Sequence, residues 1–237
     1  MMKILIFGDL HANFAALKEV FTFYKEVKPD RVYFLGDLVG YGTEPKECLD
    51  FTLEWKNINL IQGNHDRAVA GDFIGLDRYS SFAFNSLLWT QEVLEDYYKK
   101  FLNSLPLTLT YEDMGFVHSS FFNPKKFPYI KTNIRAWYEL FRAKQKIIFT
   151  GHTHKVKIWE KYGYKIKFLG KIQPESKIFL NKKNKYLVQC GSSGFQTGVS
   201  DVFVFDVKEY SLQFFKLRYK AKRNKNINFN IEVPTLI

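Results

Sequence analysis

Five short polar clusters contain every histidine of this 237-residue chain. They are DLH at 9–11, GDLVG at 36–40, GNHDR at 63–67, VHSS at 117–120 and GHTH at 151–154. A histidine taken alone is more often a satisfied core or surface residue than a metal ligand. Here each cluster follows an apolar run, and three of them carry a glycine where a chain can turn sharply. Their joint placement indicates a metal centre.

The side chains of these clusters supply nitrogen and oxygen ligands without sulfur. The candidate ligands are Asp9, His11, Asp37, Asn64, His118, His152 and His154. Such a mixed set suits Mn, Fe or Zn better than an ion selected by thiolates. Seven ligands are too many for one ion. They fit two cations about 3.5 to 4 Å apart that share one carboxylate and leave positions open for water and substrate.

The apolar runs before the clusters indicate how the chain brings them together. Strands are predicted over 3–9, 31–37 and 58–64, with helices between them at about 13–28 and 44–55. This alternation predicts a largely parallel sheet covered by helices, in which functional side chains collect after the carboxyl ends of the strands. We therefore expect the clusters to meet at one edge of the sheet.

The rest of the chain continues the pattern and then changes it. Two helices are predicted within 79–105, a short strand leads to His118, and a helix at about 134–144 precedes the strand before His152. From Val156 onward, short β-like runs separated by turns predict a second, mostly antiparallel sheet. No linker rich in Pro, Gly or Ser separates the halves. We expect one α/β domain over residues 1–237, with two packed sheets and a basic C-terminal tail from about residue 220.

Composition excludes several classes of protein. The first apolar run reaches Asp9 too early for a signal-peptide core, and no run of about 18 uncharged apolar residues occurs. We expect a soluble, cytoplasmic protein without a membrane partner. Cys48 and Cys190 lie far apart and outside any CxxC spacing. This favours two buried thiols over a zinc knuckle or a disulfide framework.

Charge is distributed unevenly along the chain. Residues 1–120 hold 11 Lys and Arg against 17 Asp and Glu, a net charge of −6; the totals of 35 and 24 leave 24 against 7, or +17, for residues 121–237. In YGYKIKFLGKI, at 162–172, lysines alternate with apolar residues. One interpretation is the solvated face of a strand. The other is a surface that attracts a nucleotide or a short nucleic acid, with Tyr162, Tyr164 and Phe168 as a stacking platform.

The ordered series D-x-H, G-D, G-N-H-D, H and G-H-x-H resembles the calcineurin-like metallophosphoesterase superfamily. GDLVGYG with GNHDRAV is similar to its compact bacterial phosphoesterase branch. The resemblance runs from Asp9 to His154 and implies a four-layer αββα sandwich of two packed mixed β-sheets flanked by helices. The phosphoprotein phosphatases of the superfamily carry G-D-x-x-D-R-G after the second strand. This chain lacks that Asp-Arg, which weakens the interpretation as a Ser/Thr protein phosphatase.

The resemblance also implies a role for each ligand and for the residues after Asn64. The first metal would be held by Asp9, His11 and His154, the second by Asn64, His118 and His152, and Asp37 would bridge them. His65 would contact the scissile phosphate and protonate the leaving group, with Asp66 as its orienting partner. Asn64 and Arg67 are the candidate substrate-binding residues. For Arg67 two alternatives stay open, a bidentate grip on phosphate oxygens or a pair with an acidic neighbour.

The function implied is hydrolysis of phosphomonoesters or phosphodiesters by in-line attack of a metal-bound hydroxide. The cofactors would be two divalent ions, with Mn favoured over Fe or Zn, and the substrate a phosphorylated small molecule or nucleotide. The alternative is a non-catalytic interaction scaffold on the same fold, because the superfamily includes members with an impaired metal site. The complete ligand set and the presence of His65 favour hydrolysis. The ligands themselves do not separate monoesters from diesters.

Overall fold

Two β-sheets, each with six strands among the described residues, form the centre of the protein. The structure is a computed structural model that describes residues 2–73, 79–170, 172–195 and 198–220. The strands are β1 Lys3–Phe7, β2 Arg31–Phe34, β3 Ile58–Leu60, β4 Thr108–Tyr111, β5 Met114–Val117, β6 Ile147–Thr150, β7 Val156–Tyr162, β8 Lys165–Phe168, β9 Lys177–Phe179, β10 Lys185–Cys190, β11 Val199–Asp206 and β12 Ser211–Arg218.

Both sheets are mixed. The first has the order β3-β2-β1-β11-β12-β9, with β1, β2 and β3 parallel and the remaining pairs antiparallel. The second has the order β4-β5-β6-β10-β7-β8, with β5, β6 and β10 parallel. The prediction that the C-terminal strands form a sheet of their own is wrong. They divide between the two sheets, because a two-residue period shows that a segment is a strand but not which strand it pairs with.

The helices cover the outer faces of the two sheets. They are α1 Phe14–Val27, α2 Pro45–Glu54, α3 Asn64–Val69, α4 Ser81–Val93, α5 Asp96–Ser104 and α6 Asn133–Arg142, with a 3₁₀ helix at Pro124–Lys126. Apolar residues of α1, α2, α4 and α5 pack on the first sheet, and those of α6 pack on the second. Layers of helix, sheet, sheet and helix result, so the predicted fold class is confirmed.

The first strand shows why its sequence is almost uniformly apolar. Ile4 and Ile6 point into the core between the sheets, whereas Leu5 and Phe7 point into the core under the helices. Both faces of β1 are therefore buried, as is usual for strands of parallel sheets. In the core between the sheets, the rings of Tyr33 and Phe116 stack with centroids 3.6 Å apart.

The helices predicted from the sequence correspond to α1, α2, α4, α5 and α6. The first of them begins at the predicted cap, where the Asn13 side chain accepts a hydrogen bond from the backbone N–H of Ala16 at 3.1 Å. The short helix α3 was not predicted, and it begins at Asn64, where a strand was expected to end. The predicted basic tail lies almost wholly outside the described residues.

Two further predictions concern cysteines and membranes. Cys48 and Cys190 are both buried and unpaired, so the interpretation as buried thiols is confirmed. Within the part of the chain that the structure describes, no helix combines the length and the apolar content required to cross a bilayer.

Candidate metal centre

The predicted site residues lie on loops at the carboxyl ends of parallel strands. Asp9 and His11 follow β1, Asp37 follows β2, Asn64 and His65 follow β3, His118 follows β5, and His152 and His154 follow β6. The first sheet thus contributes the carboxylates, the amide and two imidazoles, and the second contributes the other three imidazoles. The structure brings all of them together at one end of the sandwich, where the two sheets meet.

Five of the candidate ligands have a left-handed backbone conformation. The φ angles are 52° at Asp9, 53° at His11, 58° at Asp37, 65° at His152 and 53° at His154. This conformation is uncommon for residues other than glycine, although Asp and His adopt it more often than most. Backbone strain of this kind tends to collect at functional sites. It is concentrated here where the chain leaves the strands and must aim the side chains.

The potential ligand atoms form two groups that share Asp37. One group contains Asp9, His11, Asp37 and His154, and the other contains Asp37, His118 and His152. Within each group, one ligand atom from every member lies within 4.8 Å of the others. Asp37 is therefore placed to contact two ions at once.

Individual distances show how closely these atoms converge. In the first group, Nε2 of His154 lies 2.9 Å from Nε2 of His11 and 3.2 Å from Oδ1 of Asp9. In the second, Nε2 of His118 lies 3.3 Å from Oδ2 of Asp37 and 3.0 Å from Oδ1 of Asn64. Two imidazoles with a carboxylate in the first group, and an imidazole with a carboxylate and an amide oxygen in the second, form donor sets suited to cations.

Hydrogen bonding fixes the orientation of one imidazole and leaves a nitrogen of another without a partner. Nδ1 of His118 lies 2.7 Å from the carbonyl oxygen of Leu35 and donates to it, which leaves the Nε2 lone pair directed at Asp37 and Asn64. Nε2 of His152 is buried and finds no hydrogen-bond partner among the described residues. A buried lone pair without a donor is expensive, and a bound cation would satisfy it. The residues therefore fit a divalent metal centre.

The electrostatics of the site favour metal-binding protonation states at His11, His152 and Asp37, and a proton on His118. Burial lowers the pKa of His11 and of His152 well below the usual range. Burial would raise the pKa of Asp37, but His118 and His65 reverse the effect and hold it well below its usual value. Burial likewise opposes a charge on His118, yet the Asp37 carboxylate raises its pKa to about 9. A metal ion beside Asp37 would displace the proton of His118.

His65 is buried beside both groups. Its ring centroid lies 4.9 Å from that of His11 and 4.7 Å from that of Tyr41, and its backbone N–H donates to Oδ1 of Asp37 at 2.9 Å. Its Nδ1 atom has no hydrogen-bond partner in the part of the chain described. Gly40 permits this packing, since a Cβ at that position would lie 2.5 Å from Nδ1 of His65.

The prediction that Asp66 orients His65 is wrong. The Asp66 carboxylate is fully buried and accepts hydrogen bonds from the backbone N–H groups of residues 37, 38, 39 and 63, at 2.8, 2.8, 3.2 and 2.9 Å. Both carboxylate oxygens are thus bonded to the backbone, and Nδ1 of His65 receives no hydrogen bond among the described residues. Burial and the Asp37 carboxylate raise the pKa of Asp66 to about 7, against the effect of the N–H donors. Asp66 holds the loop that carries Asp37.

Arg67 follows the second of its two alternatives. Its Nε atom donates to Oδ2 of Asp72 at 2.8 Å, and its Nη2 atom contacts the same oxygen. The guanidinium thus pairs with an acidic neighbour five residues along the chain rather than facing the ligand groups.

Two side chains that support the site were missed from the sequence. The Tyr79 hydroxyl accepts a hydrogen bond from Nδ2 of Asn64 at 3.2 Å and donates to the Asn64 carbonyl oxygen at 3.1 Å. Ser192 Oγ donates to the carbonyl oxygen of Asp9 at 2.7 Å. Ser192 follows β10 in the stretch CGSSG, which repeats the order of apolar run, glycine and polar residue found at the other clusters. That pattern could have identified Ser192, whereas Tyr79 carries no local signal.

The lysine-rich hairpin extends away from this centre. β7 starts two residues after His154, and Tyr162 lies six residues farther along it, about 20 Å at the rise of a strand. Lys165 pairs with Tyr162 at that distant end, and both Lys165 and Lys167 are exposed. The interpretation as a solvated strand face fits this geometry, and the stacking platform at Tyr162 and Tyr164 does not. Of the second lysine-rich cluster, 216–225, residues 221–225 lie outside the described chain.

Comparisons with known proteins agree with the geometry. Residues 2–193 match a family model for the calcineurin-like phosphoesterase superfamily domain. An uncharacterized protein of Methanocaldococcus jannaschii is 29% identical over 227 residues, which cover 93% of this chain and 89% of that protein.

Two solved structures resemble the whole fold. The crystal structure of a metallophosphoesterase from Sphaerobacter thermophilus has a TM-score of 0.76 and 25% identity, covering 92% of this chain and 90% of its own. The crystal structure of a hypothetical protein from Pyrococcus horikoshii OT3 has a TM-score of 0.73 and 17% identity, covering 93% and 89%. The likeness to both therefore extends over nearly the full length of each chain.

Proposed function

Because the chain belongs to the calcineurin-like phosphoesterase superfamily, we propose that it is a dinuclear metal-dependent hydrolase of phosphomonoesters or phosphodiesters. The observation that carries the proposal is the pair of ligand groups that share Asp37. A closed structural site would need only one group of four ligands. Two adjoining groups with a common carboxylate are the arrangement expected where two ions act on one phosphoryl group.

The ligands divide between the two proposed ions. Asp9, His11 and His154 would hold the first, Asn64, His118 and His152 the second, and Asp37 both. When bound, such ions supply positive charge to the phosphoryl oxygens and lower the pKa of coordinated water. The mixed imidazole, carboxylate and amide set is compatible with Mn, Fe or Zn, and we propose Mn.

His65 is the proposed general acid. Its ring lies beside His11, and its backbone is tied to Asp37, so a phosphoester at the ions would be next to the imidazole. Burial lowers the pKa of His65. The negative charge of a bound phosphoester would raise that pKa again, and the imidazolium would then protonate the leaving oxygen. The intact ligand set around this group argues against a purely structural scaffold.

The test is a hydrolysis assay with controlled metal content. Protein dialysed against a chelator should be inactive, and Mn²⁺ should restore turnover of p-nitrophenyl phosphate or its bis ester; a panel of monoesters and diesters then narrows the substrate class. Asp37→Asn should nearly abolish activity and lower the metal content per chain. Asp96→Asn is a matched control, because Asp96 is 85% exposed and pairs only with Lys99 at 3.3 Å among the ion pairs of the described chain. Full activity of the wild type in excess chelator would refute the dinuclear proposal.

A further inference from the structure

Three aromatic side chains border one side of the metal centre, and we call them the aromatic recess: Tyr41, Phe82 and Phe195. The Phe195 ring lies 4.3 Å from the ring of His154 and 5.7 Å from that of His11, measured between centroids. Tyr41 lies 4.8 Å from His11. Phe82 is 54% exposed and Phe195 is 48% exposed. The recess therefore begins at the candidate ligands and opens outward.

The three rings form two surfaces at an angle. Tyr41 and Phe82 are nearly parallel, with centroids 6.1 Å apart and an interplanar angle of 20°. Phe195 stands at 72° to Tyr41 at 5.2 Å. A planar group that stacks on the exposed part of Phe82 or of Phe195 would find the other ring nearby, and both stacked and edge-to-face contacts are favourable arrangements of aromatic rings.

Hydrogen bonds hold the recess in place. The backbone N–H of Phe195 donates to Ser192 Oγ at 2.9 Å, and the same hydroxyl donates to the Asp9 carbonyl. The backbone N–H of Tyr41 donates to Ser86 Oγ at 3.0 Å, and Ser86 belongs to α4, the helix that carries Phe82. Tyr41 thus lies on the loop that carries Asp37, and the segments of Phe82 and Phe195 are hydrogen-bonded to the loops of Asp37 and Asp9. A surface fixed in this way loses little entropy when it binds a ligand.

We propose that the aromatic recess binds the organic group of the phosphoester, and that the substrates are esters with a planar aromatic ring system, namely nucleotides. The inference rests on the proposed function, because it takes the phosphoryl group to lie at the metal centre. Stacking on aromatic side chains accepts any nucleobase, since every base has a π face. A small aliphatic ester would leave the rings uncovered.

The position of the recess also argues against other occupants. A protein partner or a second copy of the chain seated on Phe195 would cover His154 and His11, and it would block access to the centre. The organic group of a substrate occupies the same place without this conflict. The rings at Tyr162 and Tyr164 cannot take the role, because they lie at the far end of β7.

The experiment compares two phosphomonoesters that differ in their organic group. Values of kcat/KM with Mn²⁺ are measured for adenosine 5′-monophosphate and glycerol 2-phosphate, in the wild type and in Phe82→Ala, Phe195→Ala and the double variant. Phe179→Ala is the matched control, because Phe179 is 69% exposed on β9, away from the site. Metal content is measured in every variant.

The expected result is selective. The wild type should prefer the nucleotide, and each alanine variant should lower kcat/KM for it roughly 5- to 150-fold, the usual scale for losing one stacking ring. The losses for glycerol 2-phosphate should be much smaller than those for the nucleotide, the Phe179→Ala control should match the wild type with both esters, and Phe195→Trp should retain nucleotide turnover. Equal losses for both substrates, or no loss for the nucleotide, would overturn the proposal.

A separate measurement distinguishes failure of the recess from failure of the proposed function. If no ester is hydrolysed, the proposed function fails, and titration calorimetry with adenosine still tests the recess. Binding by the wild type that the double variant loses supports the recess. Absence of adenosine binding, or a change in oligomeric state with the double variant, contradicts it.

Discussion

Removing the hydroxyl of Tyr79 should weaken the binding of one of the two proposed metal ions. In the structure this hydroxyl accepts from Nδ2 of Asn64 and donates to the Asn64 carbonyl oxygen, so Oδ1 of the amide faces His118. In Tyr79→Phe the Nδ2 group loses its acceptor, and the amide is free to turn its nitrogen toward the ion. Only the ion proposed to bind Asn64 should be affected.

The magnitude follows from two hydrogen bonds. Each is worth about 0.5 to 1.5 kcal/mol net, so their joint loss is about 1 to 3 kcal/mol. Loss of a group that orients a metal ligand typically lowers affinity about 10- to 100-fold, which is about 1.4 to 2.7 kcal/mol. The two figures agree, and we expect the dissociation constant of the second ion to rise by a factor in that range.

The assay is calorimetric titration of chelator-treated protein with Mn²⁺, in which the two binding steps are resolved. Tyr162→Phe is the control, since Tyr162 lies at the far end of β7. Activity of Tyr79→Phe should return at high Mn²⁺ concentration, because the catalytic groups are intact. Unchanged affinities in both steps, or equal weakening of both, would refute the reasoning. A fall in kcat at saturating Mn²⁺ with normal affinity would instead place Tyr79 on the substrate.

Three further predictions concern other parts of the molecule. His65→Asn should keep both ions but lose roughly 10²- to 10⁴-fold in rate, and less with a good leaving group, in a comparison of phenyl and p-nitrophenyl esters; loss of metal would make His65 a ligand. Gly194→Ala should lower the free energy of unfolding by about 1 to 3 kcal/mol in urea titrations, because its Cβ would lie 1.8 Å from the Leu10 carbonyl oxygen; unchanged stability would show that this loop yields. Burial raises the pKa of Glu139 above 4.5, so the unfolded chain loses this proton first. The stability of the wild type relative to Glu139→Gln should therefore fall as the pH rises above 4.5, and a constant difference between pH 4 and pH 7 would contradict this.

Local sequence patterns were sufficient to predict most elements of the fold. The run KILIF is apolar at both alternating positions because β1 is covered on both faces, and Asn13 caps α1 through its own side chain. The pairing of the C-terminal strands was not predictable in this way. Whether β11 joins β1 or a separate sheet depends on tertiary contacts between distant segments, and alternation within one strand does not encode them.

In the candidate site, too, some features were predictable from local sequence and others depended on tertiary contacts. Residue types at strand ends were enough to predict which side chains converge. The contacts of Asp66 and Arg67 could not be predicted from residue types. Asp66 accepts from N–H groups of the loop after β2, and Arg67 donates to the carboxylate of Asp72. The aromatic recess is assembled from three segments far apart in sequence, so no single stretch of the chain predicts it.

The division of the proposed ligands between two sheets has a mechanical consequence. Asp9, Asp37 and Asn64 belong to one sheet, and His118, His152 and His154 to the other. Ions bound between them would crosslink the two sheets at one end of the sandwich, whereas the core deeper between the sheets consists largely of apolar side chains. The free energy needed to separate the sheets at that end would then depend on the metal concentration. It would rise by about 2.7 kcal/mol for each ion whose free concentration is 100 times its dissociation constant. Removal of the proposed ions would therefore weaken the contact between the two sheets at this end, in addition to abolishing the proposed hydrolysis.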